Sequence, residues 1–381
     1  MENSKRDDND LKARRVCVMS SVHPVYDTRI YYKEILSLKK KGLHITYINR
    51  EKEGFDRNGV YHVRLEVASS RIRRMLTSFW KMYKLAINQD DEVYHFHDPE
   101  LLLTGLLLRL RGKKVIYDVH EDVPRQILHK QYLKPFIRPF VSALFEFFEK
   151  LIARRFSAII TATPKIESVF KSKRINAVSI KNYPKIEEFV TIQSKPSVHE
   201  KDGMCYVGGI REDRGIFEML EACALGSIKL TIAGRFDSPN LEEKCKASPY
   251  WGNVDFRGYV GREEVADVMT SSLAGLMVLY PTNQYLESLP IKMFEYMAAG
   301  IPVIGSDFPL WKGILADGRC GVCVNPRDIS EIVAAIRYYG EKAKRHYDDG
   351  NNGRKLVETK YNWGYEEKKL IELYTNILSD N

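Results

Sequence analysis

One stretch of the chain combines two carboxylates with a predicted helix start. Residues 286–305 read LESLPIKMFEYMAAGIPVIG, with Glu287 and Glu295 eight positions apart and Pro290 between them. Pro290 favours a first helical turn, where its missing N–H costs nothing, and Gly300 favours the end of that helix. Because the first backbone N–H groups of a helix have no partner within it, they attract anions, above all phosphate.

The charged residues of this stretch fit a ligand that carries both phosphate and hydroxyl groups. Lys292 lies in the first helical turn, where a cation opposes the helix dipole unless an anion is nearby. Glu295 follows one turn later, and a carboxylate there can accept two hydrogen bonds from neighbouring hydroxyls such as those of a ribose. Glu287 precedes the helix, in a loop from which it reaches a sugar hydroxyl. An amphipathic surface helix with two solvated glutamates explains the same spacing, so both interpretations stay open.

A glycine turn in the second half of the chain is a further candidate for anion binding. The segment 208–215, GGIREDRG, lies between a predicted strand and a predicted helix and contains Arg211 and Arg214. Glycines let backbone N–H groups approach an anion, and guanidinium groups bind phosphate oxygens in pairs. A plain turn with two surface arginines is the alternative.

In the first half, polar residues follow predicted strands. His120 comes just after the strand 114–118, at the carboxyl end where open α/β sheets bind ligands. The loop after the first predicted strand carries His23, Asp27 and Arg29 as further candidates. For that loop, a helix cap at Asp27 with a solvated Arg29 is the alternative.

The elements that must position these residues alternate between strand and helix. Strand 15–20, helix 28–41 and strand 44–49 form a βαβ unit, and the alternation restarts after residue 203. The polar run before that restart places a domain boundary near 182–201. No GxGxxG follows the first strand, so a dinucleotide-binding fingerprint is not indicated.

These motifs resemble the GT-B retaining glycosyltransferases known as GT4. The resemblance rests on the E-x7-E pattern, on the YMAAGIPVI that follows it and on HPVYDTRIYYKEILSLKKKG near the start. It covers the chain from about residue 15 onward. It implies an α/β protein of GT-B fold, with two Rossmann-like domains facing across a cleft. The expected domains are an acceptor-binding domain over 15–185 and a nucleotide-sugar-binding domain over 200–361, with the C-terminal helix at about 362–381 packing back on the first.

The resemblance also implies roles for individual residues. Ser288 and Leu289 replace the Gly-Phe-Gly that the family carries before its proline, which changes the expected contacts to the donor sugar. The implied roles are catalysis by His120, Glu287 and Arg211; donor diphosphate binding by Arg211, Arg214, Lys292 and Leu289; ribose and base contacts by Glu295, Tyr259 and Val260; and an acceptor-side loop with His23, Asp27 and Arg29.

The implied reaction transfers a sugar from a nucleotide-diphosphate sugar, by default a UDP-sugar, to a hydroxyl of a glycan or lipid-linked acceptor. Retention of anomeric configuration and a role in cell-surface polysaccharide synthesis are expected. No cofactor or metal is expected, since fixed cations take the place of a metal, and the Asp-x-Asp within residues 7–10 is interpreted as a solvated charge run. The alternatives are a nucleotide-sugar epimerase or sugar phosphorylase of the same architecture, or a non-catalytic nucleotide-sugar-binding or membrane-binding partner in polysaccharide assembly.

Composition supports a two-domain globular protein with an anionic partner. A chain of 381 residues is too long for one typical core, and its 44% hydrophobic and 29% charged residues are typical of globular proteins. The net charge of +9 favours nucleotide phosphates, acidic lipid or nucleic acid as partners, but no nucleic-acid recognition motif is present. Six cysteines, among them a lone CxxC at 320–323, have neither the second pair nor the histidine cluster typical of a metal site, and a reducing cytosol fits.

Two basic and aromatic segments raise the question of membrane contact. The charged first 15 residues carry no secretory signal, and no apolar run approaches the roughly 20 residues that span a bilayer. Residues 71–88 and 131–156 nevertheless combine cations with many aromatic side chains, typical of helices that lie on an anionic membrane surface. Packing against the sheet is the alternative for both. The expected location is cytoplasmic, peripheral on the inner face of the plasma membrane.

Overall fold

The computed structural model describes residues 11–66, 71–128, 130, 133–190, 201–341 and 343–379. The chain divides into two compact units. One unit comprises Met1–Asn182 with Glu366–Asn381, and the other comprises Tyr183–Tyr365. The Asp-x-Asp within residues 7–10 lies outside the described residues.

The first unit contains an eight-stranded sheet. Its strands are β1 (Arg15–Met19), β2 (His44–Asn49), β3 (Gly54–Phe55), β4 (Tyr61–Arg64), β5 (Val93–Phe96), β6 (Lys114–Val119), β7 (Ala158–Thr161) and β8 (Ala177–Ser179). They lie in the order β3-β4-β2-β1-β5-β6-β7-β8 and pair in parallel, except that β3 is antiparallel to β4. The carboxyl ends of β1, β5 and β6 therefore lie side by side.

Helices connect the strands of the first unit. They are α1 (Leu36–Lys40), α2 (Arg71–Gln89), α3 (Leu102–Leu110), α4 (Val123–Ile127), α5 (Arg138–Ala153) and α6 (Pro164–Lys171). The helix predicted over 28–41 differs from the expectation, because α1 is preceded by a π-helical segment, Ile30–Ile35. In that segment the Glu34 N–H donates to the carbonyl of Arg29, five residues earlier, at 3.0 Å.

The second unit contains a six-stranded parallel sheet. Its strands are β9 (Met204–Val207), β10 (Leu230–Ala233), β11 (Val254–Gly258), β12 (Ala274–Met277), β13 (Val303–Ser306) and β14 (Gly321–Val324), in the order β11-β10-β9-β12-β13-β14. Successive side chains of a strand point to opposite faces. Cys205 and Val207 accordingly join one apolar cluster while Met204 and Tyr206 join another, so the sheet is buried on both faces.

The helices of the second unit follow its strands in turn. They are α7 (Glu187–Val190), α8 (Ile216–Leu225), α9 (Pro239–Lys246), α10 (Arg262–Thr270), α11 (Asn283–Leu286), α12 (Ile291–Ala298), α13 (Pro309–Leu315), α14 (Ile329–Glu341) and α15 (Ala343–Thr359). A last helix, α16 (Trp363–Ser379), returns to the first unit from Glu366 onward. Its Tyr374 hydroxyl lies 2.9 Å from Nδ1 of His95, and the Lys114 ammonium donates to the carbonyl of Ile377 at 2.8 Å. The predicted return of the C-terminal helix is confirmed.

The cysteines are structural. All six are unpaired, and five of them are buried. Burial raises the pKa of the Cys320 thiol to about 12 and that of Cys323 to about 11, so neither is a thiolate at neutral pH. Because the thiolate is the nucleophile and the metal ligand, the CxxC has no reactive group of this kind.

The two basic and aromatic segments pack differently. In α2, Met82, Tyr83 and Ala86 lie in the core of the first unit, so packing on the sheet accounts for the described part of that helix. In α5, Ile152 and Ala153 face the core. The opposite side of α5 exposes a row of large apolar side chains, Phe140, Leu144, Phe147, Phe148 and Leu151. Within the described residues, no helix combines the length and apolarity needed to cross a bilayer.

Candidate functional site

The glycine turn after β9 forms a small backbone concavity in the second unit. Gly208 has φ +144°, a conformation that side chains disfavour. A Cβ on Gly234, at the end of the neighbouring strand β10, would lie 1.8 Å from the carbonyl oxygen of Gly208. Gly234 is therefore required by the close approach of these two strand ends, and Gly208 is favoured by its positive φ.

Two cations converge on this turn. A methyl group on Gly208 would lie 3.6 Å from Nη1 of Arg214 and 4.0 Å from Cε of Lys292. The Arg214 guanidinium also donates to the Gly209 carbonyl at 3.2 Å and to the Tyr285 hydroxyl at 3.4 Å. Arg214 and Lys292, predicted at the donor diphosphate, thus both lie beside the glycine turn, where the Tyr206 hydroxyl also donates to the Gly209 carbonyl at 2.7 Å. Two cationic side chains beside a glycine turn are a suitable environment for a multiply charged anion.

Arg211 has different surroundings. Its guanidinium donates to Asp213 at 2.9 Å and lies 4.0 Å from Asp237. The cause is local: Arg211 is extended, and the 3₁₀ turn Glu212–Arg214 that follows directs Arg214 elsewhere. Arg211 is therefore held by acidic neighbours, and its expected catalytic and diphosphate roles stay predictions.

The predicted helix start after Glu287 is present as α12. Its N-cap is Pro290, which makes no side-chain hydrogen bond to the helix. The preceding loop is held in place by Trp311, whose indole N–H donates to the Ser288 carbonyl at 2.9 Å. Leu289 packs against the apolar core, so its backbone rather than its side chain is available to a ligand, while Glu287 is exposed.

Glu295 lies deeper than the sequence indicates. It is fully buried, accepts a hydrogen bond from the Lys292 ammonium at 2.6 Å and forms a salt bridge with Nη1 of Arg262 at 2.8 Å. Arg262 also donates to Glu188 at 3.0 Å. Arg262 was not among the predicted site residues, although it is the first residue of a helix that follows a glycine.

The predicted base-binding loop is partly exposed. Tyr259 is 72% exposed, and the Arg235 guanidinium lies over its ring, 4.0 Å from the ring centre. Val260 packs against the apolar core. Since stacked guanidinium and aromatic planes form a flat surface, Arg235 joins Tyr259 as a candidate for contact with a nucleobase.

In the first unit, His120 lies at the carboxyl end of β6, where its position after the strand predicted it. Its Nε2 is 3.2 Å from Nδ1 of His97 and 3.5 Å from Oδ2 of Asp118. The His120 side chain is 17% exposed, whereas His97 and Asp118 are buried. The partly exposed imidazole of His120 therefore contacts a buried histidine and a buried carboxylate.

Arg29, expected in the acceptor-side loop, lies beneath the surface. It is buried, and its Nε and Nη2 bond to Asp118 at 3.1 and 2.9 Å, with Nε also 2.9 Å from Glu34. The π-helical segment explains this, because five residues per hydrogen-bonded turn place Arg29 and Glu34 on the same inward face. Arg29 is thus held beneath the surface by two carboxylates, and its expected acceptor-side role stays a prediction.

The other two residues of that loop also have defined partners. The carboxylate of Asp27 accepts the backbone N–H groups of Arg29 and Ile30 at 2.8 and 3.0 Å, so Asp27 caps the helix, the alternative raised by the sequence. His23 lies beside His120, with ring centres 5.0 Å apart, and its Nε2 is 3.4 Å from Asp98. His23 therefore stays a candidate, and Asp27 is accounted for by capping.

One group of side chains among the described residues has the spacing to hold a metal ion. Glu34, His95, His97 and Asp118 each place a ligand atom within 4.8 Å of the others. The guanidinium of Arg29 forms salt bridges with both carboxylates of this group, Glu34 and Asp118. We therefore interpret the group as a buried ion-pair network with Arg29 as its cation.

Two family models match consecutive parts of the chain. The model described as Glycosyltransferase Family 4 matches residues 31–181, and the model described as Glycosyl transferases group 1 matches residues 187–356. Between them they span most of the sequence and meet at the division between the two units.

Individual proteins are similar along most of the chain. The phosphatidyl-myo-inositol mannosyltransferase of Mycobacterium leprae is 24% identical over 307 residues, 73% of each chain. The structure of sucrose-phosphate synthase from Thermosynechococcus elongatus aligns with a TM-score of 0.73 and 17% identity, over 97% of this chain and 100% of that one. The structure of Anabaena HepE in complex with UDP-glucose aligns with a TM-score of 0.71 and 12% identity, over 95% and 99%.

Proposed function

The chain belongs to the GT4-like glycosyltransferases of the GT-B fold, and from this premise we propose the details of its reaction. It transfers a sugar, with retention of anomeric configuration, from a nucleotide-diphosphate sugar to a hydroxyl of a glycan or lipid-linked acceptor in cell-surface polysaccharide synthesis. The observation that carries this proposal is the position of the Arg214 guanidinium and the Lys292 stem beside the glycine turn at Gly208.

The chemistry follows from charge. When the glycosidic bond to the diphosphate breaks, negative charge develops on the leaving oxygens. Arg214 and Lys292, once they contact the diphosphate, stabilise that charge with little further reorganisation, which is a large contribution to many enzyme rates. No metal is then required in the second unit, where Arg214 and Lys292 supply the positive charge.

Lys292 has two partners in this scheme. Without donor it neutralises the buried carboxylate of Glu295 at 2.6 Å, and its stem lies close to Gly208. With donor bound, the ammonium moves to the diphosphate, and ribose hydroxyls replace it on Glu295. Binding of the phosphates and of the ribose is thereby coupled through one side chain.

The relatives support a nucleotide-sugar donor and leave the sugar open. One similar protein is named for transfer of mannose to phosphatidyl-myo-inositol, and one similar structure holds UDP-glucose. A UDP-sugar is our default donor. His120 and Glu287 are assigned to the transferred sugar, and His23 to the acceptor side.

The exposed face of α5 is assigned to a membrane surface. Phe140 and Phe147 on α5, and Phe136 just before it, are between 62% and 76% exposed, and exposed cations flank them at Lys134 and Arg154. Apolar side chains rimmed by cations insert into an anionic bilayer interface. Such docking gives the enzyme access to a lipid-linked acceptor and implies a peripheral location on the inner face of the plasma membrane.

The test is turnover of sugar nucleotides. A panel of UDP-, GDP- and dTDP-sugars is incubated with the protein and a membrane-lipid extract, and nucleotide release and the anomeric configuration of the product are measured. Acceptor-dependent release of a nucleoside diphosphate, with a retained anomer, is expected. Donor conversion without acceptor indicates an epimerase, and binding without turnover indicates a non-catalytic partner; either result contradicts the proposal.

A further inference from the structure

Tyr285 is a buried tyrosine whose hydroxyl reaches the turn that carries Arg214. It lies on the single-turn helix α11, is 8% exposed and packs in an apolar cluster of the second unit. Its hydroxyl accepts a hydrogen bond from Nε of Arg214 at 3.4 Å and donates one to Oδ2 of Asp213 at 3.3 Å. Because a hydroxyl has one donor and can also accept, both hydrogen bonds form at the same time.

The backbone of Tyr285 is bonded to the loop that precedes α12. Its carbonyl accepts the N–H of Ser288 at 3.2 Å and the Ser288 hydroxyl at 3.1 Å. The Ser288 carbonyl in turn accepts the indole N–H of Trp311 at 2.9 Å. Ser288 is one of the two residues that replace the Gly-Phe-Gly of the resembling family, and a glycine has no side chain to form the hydroxyl bond. Tyr285 thus contacts this loop through its backbone and Arg214 through its hydroxyl.

The guanidinium of Arg214 is held from two directions. Its Nε donates to Tyr285, and its Nη1 donates to the Gly209 carbonyl at 3.2 Å. That carbonyl also accepts the Tyr206 hydroxyl at 2.7 Å. A guanidinium is a rigid plane, so bonds from two of its nitrogens to separate acceptors define the orientation of the whole group. Loss of the Tyr285 hydroxyl would leave that plane freer to rotate about the contact with Gly209.

The backbone segments that carry these two side chains are in direct contact. The N–H of Tyr280, in the connection after β12, donates to the carbonyl of Asp213 at 3.0 Å. Gly215 has φ +70°, and a Cβ there would lie 2.0 Å from the carbonyl oxygen of Val278. The side chains of Tyr285 and Arg214 therefore meet above two segments that are bonded to each other. Supporting hydrogen bonds of this kind keep a binding group at a defined geometry.

We propose that Tyr285 is a positioning residue that sets the orientation of the Arg214 guanidinium beside the glycine turn and joins it to the loop 287–290. The inference deepens the proposed function and rests on it for the diphosphate that Arg214 binds. Tyr285 acts through Arg214: it orders the guanidinium before the ligand arrives, and less freedom is then lost on binding. The chemistry favoured by this arrangement is a nucleoside diphosphate over the corresponding monophosphate.

A packing role for Tyr285 is the simpler interpretation, with a hydroxyl that is bonded only because it emerges from the core at this point. Tyr285→Phe distinguishes the two interpretations, since it keeps the ring in the core and removes the hydroxyl. A packing role predicts no change at Arg214. A positioning role predicts an effect that passes through Arg214 and is absent when Arg214 has been replaced.

Tyr280→Phe is the matched control. The Tyr280 hydroxyl donates to a carboxylate oxygen of Glu218 at 2.6 Å, and Tyr280 belongs to the same connection between β12 and α12. Within the described part of the chain, this hydroxyl makes no hydrogen bond to Arg214. Tyr280→Phe therefore removes one hydroxyl from the same region and leaves the proposed contact in place.

Hydrogen exchange in the ligand-free, full-length protein tests the contact itself. In protein labelled with ¹⁵N-arginine, the Nε–H signal of Arg214 is assigned by its loss in Arg214→Gln, and its exchange with water is measured. Exchange is expected to be at least about fivefold faster in Tyr285→Phe than in the wild type, and within about twofold of the wild type in Tyr280→Phe. Equal exchange in Tyr285→Phe and the wild type overturns the proposal.

Nucleotide binding tests the consequence for the ligand. Dissociation constants for UDP and UMP, and for GDP and GMP, are measured by calorimetry for the wild type, Tyr285→Phe, Arg214→Gln and the double variant. Tyr285→Phe is expected to lower the preference for the diphosphate by about 3- to 10-fold, the effect of one ordinary hydrogen bond. The double variant is expected to match Arg214→Gln within about twofold. An unchanged preference in Tyr285→Phe, or a full further loss in the double variant, overturns the positioning role.

Folding and the proposed function are checked separately. If Tyr285→Phe does not fold, exchange in the wild type decides: the Nε–H of Arg214 must exchange more slowly than that of Arg125, whose side chain is 70% exposed. Equal exchange at these two arginines overturns the proposal. If the wild type binds no diphosphate more tightly than its monophosphate, the proposed function fails, and the exchange measurement still decides whether Tyr285 holds Arg214.

Discussion

Substitution of Glu295 by glutamine separates a structural role from a role in donor binding. The carboxylate is fully buried and meets two cations, Lys292 at 2.6 Å and Arg262 at 2.8 Å. Glutamine keeps the shape and removes the charge. Breaking a fully buried ion pair costs about 3–5 kcal/mol. Because the side chains of Lys292 and Arg262 are 27% and 32% exposed, water partly compensates, and we expect a loss of about 2–3 kcal/mol in the free energy of unfolding.

The same substitution should also weaken binding of the donor nucleotide, independently of its effect on stability. If the carboxylate accepts hydrogen bonds from the ribose, losing one such charged bond costs about 1.5–3 kcal/mol. The dissociation constant for UDP is then expected to rise roughly 10- to 150-fold. Unfolding is followed by urea denaturation, and binding of UDP and GDP by isothermal titration calorimetry at a temperature where both proteins are folded.

Glu188→Gln is the matched control. Glu188 bonds to the same Arg262, but its side chain is 25% exposed, whereas Glu295 is fully buried. Loss of the Glu188 charge is expected to lower the free energy of unfolding by about 0–1 kcal/mol. The dissociation constants for nucleotides should stay within about threefold of the wild-type values. Unchanged UDP binding in Glu295→Gln would refute the ribose role, and equal weakening in both variants would transfer that role to Arg262.

Three further outcomes are expected. Phe140→Ser with Phe147→Ser should weaken binding to vesicles of phosphatidylglycerol and phosphatidylcholine at least about tenfold in a flotation assay, while Phe55→Ser, equally exposed on β3, should not; equal losses would contradict the α5 surface. His346 is buried with no hydrogen-bond partner for either ring nitrogen among the described residues, and burial, then Lys201, lower its pKa to about 4. Below about pH 6.5 the imidazole of His346 is protonated in the unfolded chain and still neutral in the folded one, so the free energy of unfolding should fall by about 3 kcal/mol between pH 6.5 and 4 in urea titrations. The fall should be smaller in His346→Leu, and an equal fall in both proteins would exclude His346 as the cause. The rate of turnover of the identified donor should change by no more than about twofold when EDTA is added, because Arg214 and Lys292 supply the positive charge. A loss of activity in EDTA that Mg²⁺ restores would contradict metal independence.

Much of the fold was predictable because its signals are local. Apolar runs such as β9 and β10 end in glycine turns, and the parallel pairing of such runs places their carboxyl ends at one edge of a sheet. His120 and Lys292 were therefore found from their positions after a strand and at a helix start. The return of α16 to the first unit came from the resemblance, since its own periodicity does not indicate a partner.

The remaining features depend on contacts between residues that are distant in sequence. Arg211 and Arg214 are equivalent in a sequence pattern, and the 3₁₀ turn between them decides which one approaches Gly208. Arg29 looked like a loop residue because the π-helical segment that turns it inward toward Asp118 has no strong sequence signal. The burial of Glu295 against Arg262 likewise follows from packing between two helices.

The central claim is that the second unit binds a diphosphate through Arg214 and Lys292, and nucleotide binding tests it most directly. Dissociation constants for UDP and UMP, and for GDP and GMP, are measured by calorimetry with wild-type protein, Arg214→Gln and Lys292→Gln. The account predicts that wild-type protein binds one of the diphosphates at least about tenfold more tightly than its monophosphate, and that each variant loses most of that difference. Equal affinities for diphosphate and monophosphate in the wild-type protein, or an unchanged preference in both variants, would contradict it.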